Sequence, residues 1–258
     1  MPNWVYNTLT IQGPKSEIDF IKDKLNTPFK VLHDSWNTDT HTMEVTETSY
    51  SSPIFAFWNI HSPLEDGITM EEYVKQPTRA GTDVKTDPDW FAKEVEHAKT
   101  QTDWYNWNTS KWGTKWDVAV SDNDKYPETE LLEYKSDGDD NWLVYKYNTA
   151  WSPAVTVLTK LSLLVPNSLL TLEFEEETGW GGEYEIVRGE VKELVEYDNQ
   201  CRDCDSYNTL EYCEESDCGE ICSSCNWLGE ADLEAVAECQ THKVYLDTNV
   251  PDYRKENA

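Results

Sequence analysis

For its first 200 residues this 258-residue chain has no cysteine. Cations are scarce throughout: 21 Lys and Arg stand against 50 Asp and Glu, a net charge of −29. A field of that sign repels phosphate backbones and anionic lipid, which excludes direct nucleic-acid binding through a basic groove. No run approaches the roughly 18 apolar residues that a membrane span needs. The N-terminus lacks a basic stretch followed by an apolar one, so no secretory leader is expected and the expected location is cytoplasmic. There is no P-loop, no G-x-G-x-x-G, no G-x-S-x-G and no H-E-x-x-H. His33, His41, His61 and His97 are scattered without ligand spacing and read as ordinary surface or core residues.

Aromatic residues, by contrast, are abundant. Twelve Trp and fourteen Tyr bring the aromatic share to 12%, and disordered chains are poor in such residues, so the chain folds around aromatic cores. Trp4, Tyr6, Leu9 and Ile11 read as a strand ended by Gly13-Pro14. A helix follows, with Ser16 as its cap, Asp19 three residues on, and Ile18, Ile21 and Leu25 on one stripe. A strand is expected near FKVLHDSW (29–36), then a polar loop, then PIFAFWNIHSP (53–63). Residues 69–76 read as a short helix and 77–86 as a loop. A long helix is expected over 87–107, capped by Asp87 with Pro88 at its first position. KWGTKWDVAV (111–120) reads as a strand, 121–140 as a polar loop, and NWLVYKYNT (141–149) as a strand alternating at Trp142, Val144 and Tyr147. Ser152 and Pro153 open a helix. LLTLEFEEE is a strand, and one or two more follow, broken at Gly189.

The order β-α-β, insertion, β-β-α-β predicts an α+β fold whose natural candidate is a ferredoxin-like βαββαβ core. Residues 1–198 are expected to form that domain, with a helical insertion, and 199–258 a separate acidic module. The segments MPNWVYNTLTIQG, WGTKWDV, TAWSPA and GWGGEYE occur in that order over residues 1–190. In this the chain resembles the YubB-like (Api-type) ferredoxin-fold proteins carried by phages and plasmids. It departs from their pattern at Val5, where many have Cys, at Ala154, where a second Pro is usual, and at ETGWGGEYE, where an E-P-G and a Phe are usual. The resemblance implies a mobile-element origin, a ferredoxin-like fold and a location inside an infected or plasmid-bearing cell. It implies no chemistry. Trp107, Trp112, Trp116 and Trp151 lie in or beside these motifs with Lys115 and Asp117. Four indoles around a Lys–Asp pair would line a pocket, form an interface or pack a core. The GWGG turn (179–182) and the carboxylates of EFEEET read as a strand turn and a solvated face.

All seven cysteines fall between Cys201 and Cys239. Cys201/Cys204 and Cys222/Cys225 are C-x2-C pairs separated by 17 residues, a spacing suited to a four-thiolate zinc site. Cys213/Cys218 and Cys239/His242 supply two further pairs, so two sites close if the pairs alternate. That alternation resembles the cross-braced two-zinc modules of the RING and PHD type in architecture only. A single zinc with spare cysteines is the fallback; a disulfide scaffold, a redox pair and an iron–sulfur cluster are the other readings of the block. Residues 199–242 contain few apolar groups, so burial alone does not offset their ordering entropy, and a metal would take the place of a core.

Residues 173–258 carry 24 acids and 6 bases, a net of −18, with a cluster at Glu214, Glu215, Asp217 and Glu220. Solubility explains such acidity, and so does a surface that attracts a basic partner. Three functions follow as expectations. One is an accessory protein that binds a host protein with a basic surface, acting as an acidic nucleic-acid mimic against a defence protein. The others are an enzyme with a Trp-lined pocket and a plain structural or adaptor protein.

Overall fold

Alternation in the first strand, β1 (Trp4–Gly13), buries Val5, Asn7, Leu9 and Ile11 on one face. This is a computed structural model, and it describes residues 3–75, 88–99, 103–197, 210–212 and 220–222. β1 pairs antiparallel with β5 (Asn141–Ala150) on one side and β6 (Leu169–Glu176) on the other. Among the described residues the sheet has six strands in the order β4 (Glu130–Lys135), β5, β1, β6, β7 (Gly181–Val187), β8 (Glu190–Tyr197). Register sets Leu9 between Tyr145 and Leu172, and Ile11 between Leu143 and Leu170. These side chains are fully buried, each contributing roughly 1.5–3 kcal/mol by leaving water. Helix α1 (Lys15–Leu25), between β1 and the next strand, buries the expected Ile18, Ile21 and Leu25. The architecture is α+β with a large antiparallel sheet.

Several local expectations change. Helix α1 starts at Lys15 after Pro14, so Ser16 lies inside it and no side chain caps it. The polar stretch after β2 (Phe29–Asn37) is itself a strand, β3 (Thr42–Tyr50), paired with β2 from Phe29↔Tyr50 to Asn37↔Thr42. Most of the described β3 side chains are exposed, so no apolar alternation marks it. The PIFAFW segment, for which the sequence predicts no element, takes no regular secondary structure. It is a buried turn in which Ile54 has φ 62° and Phe55, Ala56 and Phe57 are fully enclosed. The short helix α2 (Met70–Tyr73) forms behind a Thr69–Glu72 capping box.

The long helix expected over 87–107 is two helices, α3 (Trp90–Lys99) and α4 (Trp104–Lys111). Asp103 starts the second: its Oδ1 accepts the Tyr105 and Asn106 N–H groups at 3.0 and 3.2 Å. Asp87 lies outside the described residues. No strand forms over 111–120, whereas β4 lies within the expected loop 121–140. In β5 the inward residues are Leu143, Tyr145 and Tyr147; Trp142 and Val144 fall on the other face. Helix α5 (Val155–Leu164) begins after Ala154, not Ser152, and Ala154 sits at φ 55°. The break at Gly189 is a tight turn between β7 and β8, with Arg188 at φ 53° and Gly189 at φ 81°.

Two compact units divide the chain. One comprises Met1–Glu177 with Glu183–Leu194, the other Thr178–Gly182 with Val195–Ala258. In the second, β9 (Leu210–Tyr212) pairs antiparallel with β10 (Glu220–Cys222), setting Cys222 opposite Leu210. Among the described residues no helix is long and apolar enough to cross a membrane.

Within the core, the hydroxyls of Tyr145 and Tyr147 are buried and make no hydrogen bond with a described residue. Each carries the desolvation cost of an unpaired polar group and none of the compensation. Tyr147→Phe is therefore expected to be stabilising by about 1 kcal/mol, read as a raised urea midpoint at unchanged m-value. A drop in the midpoint would mean that the hydroxyl has a bound-water partner.

Candidate aromatic site

Two motif loops are tied together at one end of β5. Gly113 has φ 81°, and a Cβ there would stand 3.0 Å from the Thr156 Oγ1, so glycine suits both the backbone and the space. The Thr114 hydroxyl donates to the Ala150 carbonyl at 2.9 Å and accepts the Ala150 N–H at 3.1 Å. The Ser152 hydroxyl donates to the Gly113 carbonyl, and the Trp151 N–H donates to the Asn3 carbonyl at 3.0 Å. This network holds Trp151 at φ 71° and Ala154 at φ 55°, each costing about 1–3 kcal/mol of backbone strain. Trp151 is thereby presented outward at 45% exposure.

Lys115 and Asp117, adjacent in the same motif, do different jobs. The Lys115 ammonium lies 4.3 Å from the Trp116 ring centroid and 5.1 Å from that of Trp151. Asp117 makes no ion pair with it. One oxygen, Oδ1, accepts the N–H groups of Phe57 at 2.8 Å, Val118 at 2.7 Å and Ala119 at 3.2 Å; Oδ2 accepts that of Trp58 at 2.9 Å. Burial pushes the Asp117 carboxyl up to about 6, against the four backbone donors that pull it down. Asp117 thus pins the strandless PIFAFW turn to the WGTKWD loop.

Around this pin lies a cleft of about 260 Å³ whose walls are mainly aromatic. Phe29 stacks on Tyr50 at 4.5 Å and on Trp58 at 5.6 Å, and Trp58 meets Tyr73 edge to face at 5.7 Å. Trp112, Trp116 and Asp117 also line it. Its polar groups are largely engaged: the Tyr73 hydroxyl donates to Asn108 Oδ1 at 2.8 Å, Asn108 Nδ2 donates to the Lys115 carbonyl at 2.9 Å, and Trp112 Nε1 donates to the His61 carbonyl at 2.8 Å. Burial pushes the Tyr50 and Tyr73 phenols above their ordinary range.

Trp107 sits outside the cleft lining, against Trp112 at 5.3 Å, and its Nε1 donates to Asp66 Oδ2 at 3.1 Å. Asp66 also meets His61 Nε2 at 3.0 Å and the Lys111 ammonium at 3.6 Å. Burial opposes ionisation of Asp66, but His61, Trp107 and Lys111 together hold it below the usual carboxylate range.

Trp116 and Asp117 also border a second groove, of about 230 Å³. Its aromatic members are Trp4, Trp116 and Tyr126, with Trp4 and Trp116 centroids 5.9 Å apart and tilted by 35°. Its carboxylates are Asp117, Asp124 and Glu128, and among the described residues no Lys, Arg or His lines it. Asp124 Oδ2 accepts the Ser121 N–H at 2.7 Å, and Glu128 Oε2 accepts from Asn148 Nδ2 at 3.1 Å.

Of the six motif residues, then, Trp112, Trp116 and Asp117 share the cleft, Lys115 and Trp151 stand with Trp116, and Trp107 is set apart. Phe29, Tyr50, Trp58 and Trp4 complete the two cavities. They come from distant segments, and only the density of aromatics in PIFAFW hinted at a contribution. Cys201, Cys204, Cys213, Cys218, Cys225, Cys239 and His242 lie outside the described residues, as do Glu214, Glu215 and Asp217. Cys222 and Glu220 are placed only by their backbone in β10. Among the described residues no three His, Cys, Asp or Glu side chains gather as a metal site.

No family model and no curated protein sequence matches the chain. Among solved structures it is similar to the protein api92 from Yersinia pseudotuberculosis, of family DUF1281, at 10% identity and a TM-score of 0.35, over 76% of this chain and 99% of that one.

Proposed function

We propose that this is a protein-binding accessory protein of a phage or other mobile element, directed at a host protein with a basic surface. In this reading residues 1–198 form a ferredoxin-like core. The strand order β4-β5-β1-β6, with α1 leaving β1 and α5 leaving β5, supports that assignment. Residues 199–258 form an acidic module braced by zinc at Cys201/Cys204 with Cys222/Cys225 and at Cys213/Cys218 with Cys239/His242.

The observation that carries the reading is the charge: −29 overall, of which −18 falls in residues 173–258. A surface of that density attracts the kind of cationic face that handles nucleic acid, and binding there would displace the nucleic acid. The motif loops suit recognition for a separate reason. Strained backbone holds the Trp151 side chain half exposed beside Lys115 and Trp116, and indoles are favoured interface anchors.

A second reading, an enzyme working in the aromatic cleft, has one observation in its favour. Asp117 borders the cleft with its carboxyl pushed up to about 6. Its oxygens already accept four backbone N–H groups, however, which gives it a structural task.

The test is capture of partners from host lysate by the tagged full chain at low and high salt. A basic partner retained at low salt and released at high salt is the expected result. Neutralising Glu214, Glu215, Asp217 and Glu220 to Gln and Asn should slow association about tenfold while changing dissociation little. An unchanged association rate, or capture indifferent to salt, would leave the acidity as a solubility device and return attention to the cleft.

A further inference from the structure

We propose that the groove between Trp4 and Trp116 binds an arginine side chain of the partner protein. The inference rests on the protein-binding reading and deepens it by naming the residue recognised. Its volume, about 230 Å³, suits one long side chain and is too small for a folded element. Its composition selects the class of side chain. Three carboxylates, Asp117, Asp124 and Glu128, border it, and among the described residues no cation does. The aromatic members are an independent feature of the same groove. An indole face attracts a cation through its ring quadrupole, and Trp116 already holds one in this way, the Lys115 ammonium at 4.3 Å. Lys115 is not among the residues that line the groove.

Arginine fits better than lysine. Its planar guanidinium stacks on indole, and its fork of N–H donors pairs with carboxylates two at a time. Asp124 and Glu128 are suited to that pairing. Each uses one oxygen in a hydrogen bond within the chain, at 2.7 and 3.1 Å, which fixes the carboxylate, and its other oxygen makes no hydrogen bond with a described residue. Asp117 contributes charge alone, since its oxygens are taken by backbone donors. The partner's chemistry follows: a basic protein face with at least one protruding arginine.

The probe is N-acetyl-arginine amide, titrated into the full chain while the indole N–H signals of Trp4 and Trp116 are followed by NMR. The neutral isostere N-acetyl-citrulline amide and N-acetyl-lysine amide are the controls. Arginine amide should shift both indoles saturably, with a dissociation constant on the order of 1 mM, as expected for a single side chain. The citrulline analogue should bind about tenfold more weakly because it lacks the charge, and the lysine amide should fall between them. Trp116→Ala should abolish the saturable shift at Trp4. Because Trp116 adjoins the Asp117 pin, that variant is open to a folding defect, so the decisive variant is Asp124→Asn with Glu128→Gln, both exposed. It should lose at least about fivefold in arginine affinity.

Equal binding of citrulline, absence of saturation, or wild-type affinity in the double variant would each overturn the proposal. The two proposals also fail separately. If arginine amide binds as described and no salt-sensitive protein is captured from lysate, the partner reading falls and the cation groove stands. If the partner is captured and Asp124→Asn/Glu128→Gln does not weaken it, the groove assignment falls and the partner reading stands.

Discussion

Asp117→Ala is expected to lower stability by several kcal/mol, a large part of the roughly 5–15 kcal/mol that holds a domain of this kind together, since each buried donor left unsatisfied costs about 1–3 kcal/mol. The reason is one of convergence. The N–H groups of Phe57, Trp58, Val118 and Ala119 all point at one carboxylate, at 2.7–3.2 Å. Alanine leaves all four donors without that acceptor, and Phe57 is fully buried. The PIFAFW turn then keeps the Val120 N–H to Pro53 carbonyl bond at 3.2 Å, the Ile54 N–H to Asn26 Oδ1 bond at 3.0 Å and its own packing, in which Phe55 stacks on Tyr145 at 5.0 Å. Loss of cooperative unfolding, or a clearly lowered urea midpoint at unchanged m-value, is the expected reading. Wild-type stability in Asp117→Ala would mean that water replaces the carboxylate at all four donors.

The same residue gives a pH signature with a definite sign. Its carboxyl is raised from 3.8 to about 6 in the folded chain, so the folded state holds the proton more tightly than the unfolded state does. The stabilising contribution of that protonation is full below pH 3.8 and is lost as pH rises through about 6. Asp117→Asn cannot titrate, so the stability difference between wild type and this variant should change between pH 4 and pH 6 by on the order of 2 kcal/mol and be flat above pH 7. Because the other carboxylates are common to both proteins, the difference isolates the one group. A difference flat across pH 4–6 would place the Asp117 pKa at its unfolded value.

How much of this was legible in the sequence depends on how local each cause is. Helix α1 was legible because Ile18, Ile21 and Leu25 share a face whatever they pack against. The turn at Gly189 was legible because Gly tolerates positive φ. The β2–β3 hairpin was not, since Glu44, Thr46 and Glu47 face solvent and leave no alternation to read. The split between α3 and α4 was hidden because Asp103 reads as an ordinary acid within a helical stripe until its side chain is seen capping Tyr105 and Asn106. The WGTKWD and TAWSPA motifs pointed to residues that the fold brings together, Trp116 and Trp151 beside Lys115. They did not reveal that Asp117 serves backbone groups about 60 residues away, or that Trp4 stands beside Trp116. Trp4 reaches that end of the sheet through its pairing with Ala150, a long-range register that no local pattern encodes.

Purified protein is expected to carry about two zinc ions per chain, with one as the fallback stoichiometry. Four C-x2-C, C-x4-C and C-x2-H pairs lie within residues 201–242, where large apolar residues are few: Leu210, Ile221, Trp227, Leu228, Leu233 and Val236. Ordering such a segment costs on the order of 1–2 kcal/mol per residue in backbone entropy, and that handful of side chains does not offset it. A structural zinc site contributes roughly 10–16 kcal/mol in small finger peptides, enough to change the balance by itself. Acids crowd the thiols in this stretch, which disfavours free thiolate, so bound metal is also what would hold the sulfurs deprotonated. Chelation or Cys201→Ser should therefore unfold the 199–242 segment, seen as new proteolytic cleavage there, while the far-ultraviolet helix signal from α1, α4 and α5 persists. Elemental analysis finding no metal, with all seven thiols reactive in the native protein, would remove zinc from the account. Loss of the helix signal in Cys201→Ser would instead show that the segment and the α+β domain fold as one unit, and that the boundary after residue 198 is misplaced.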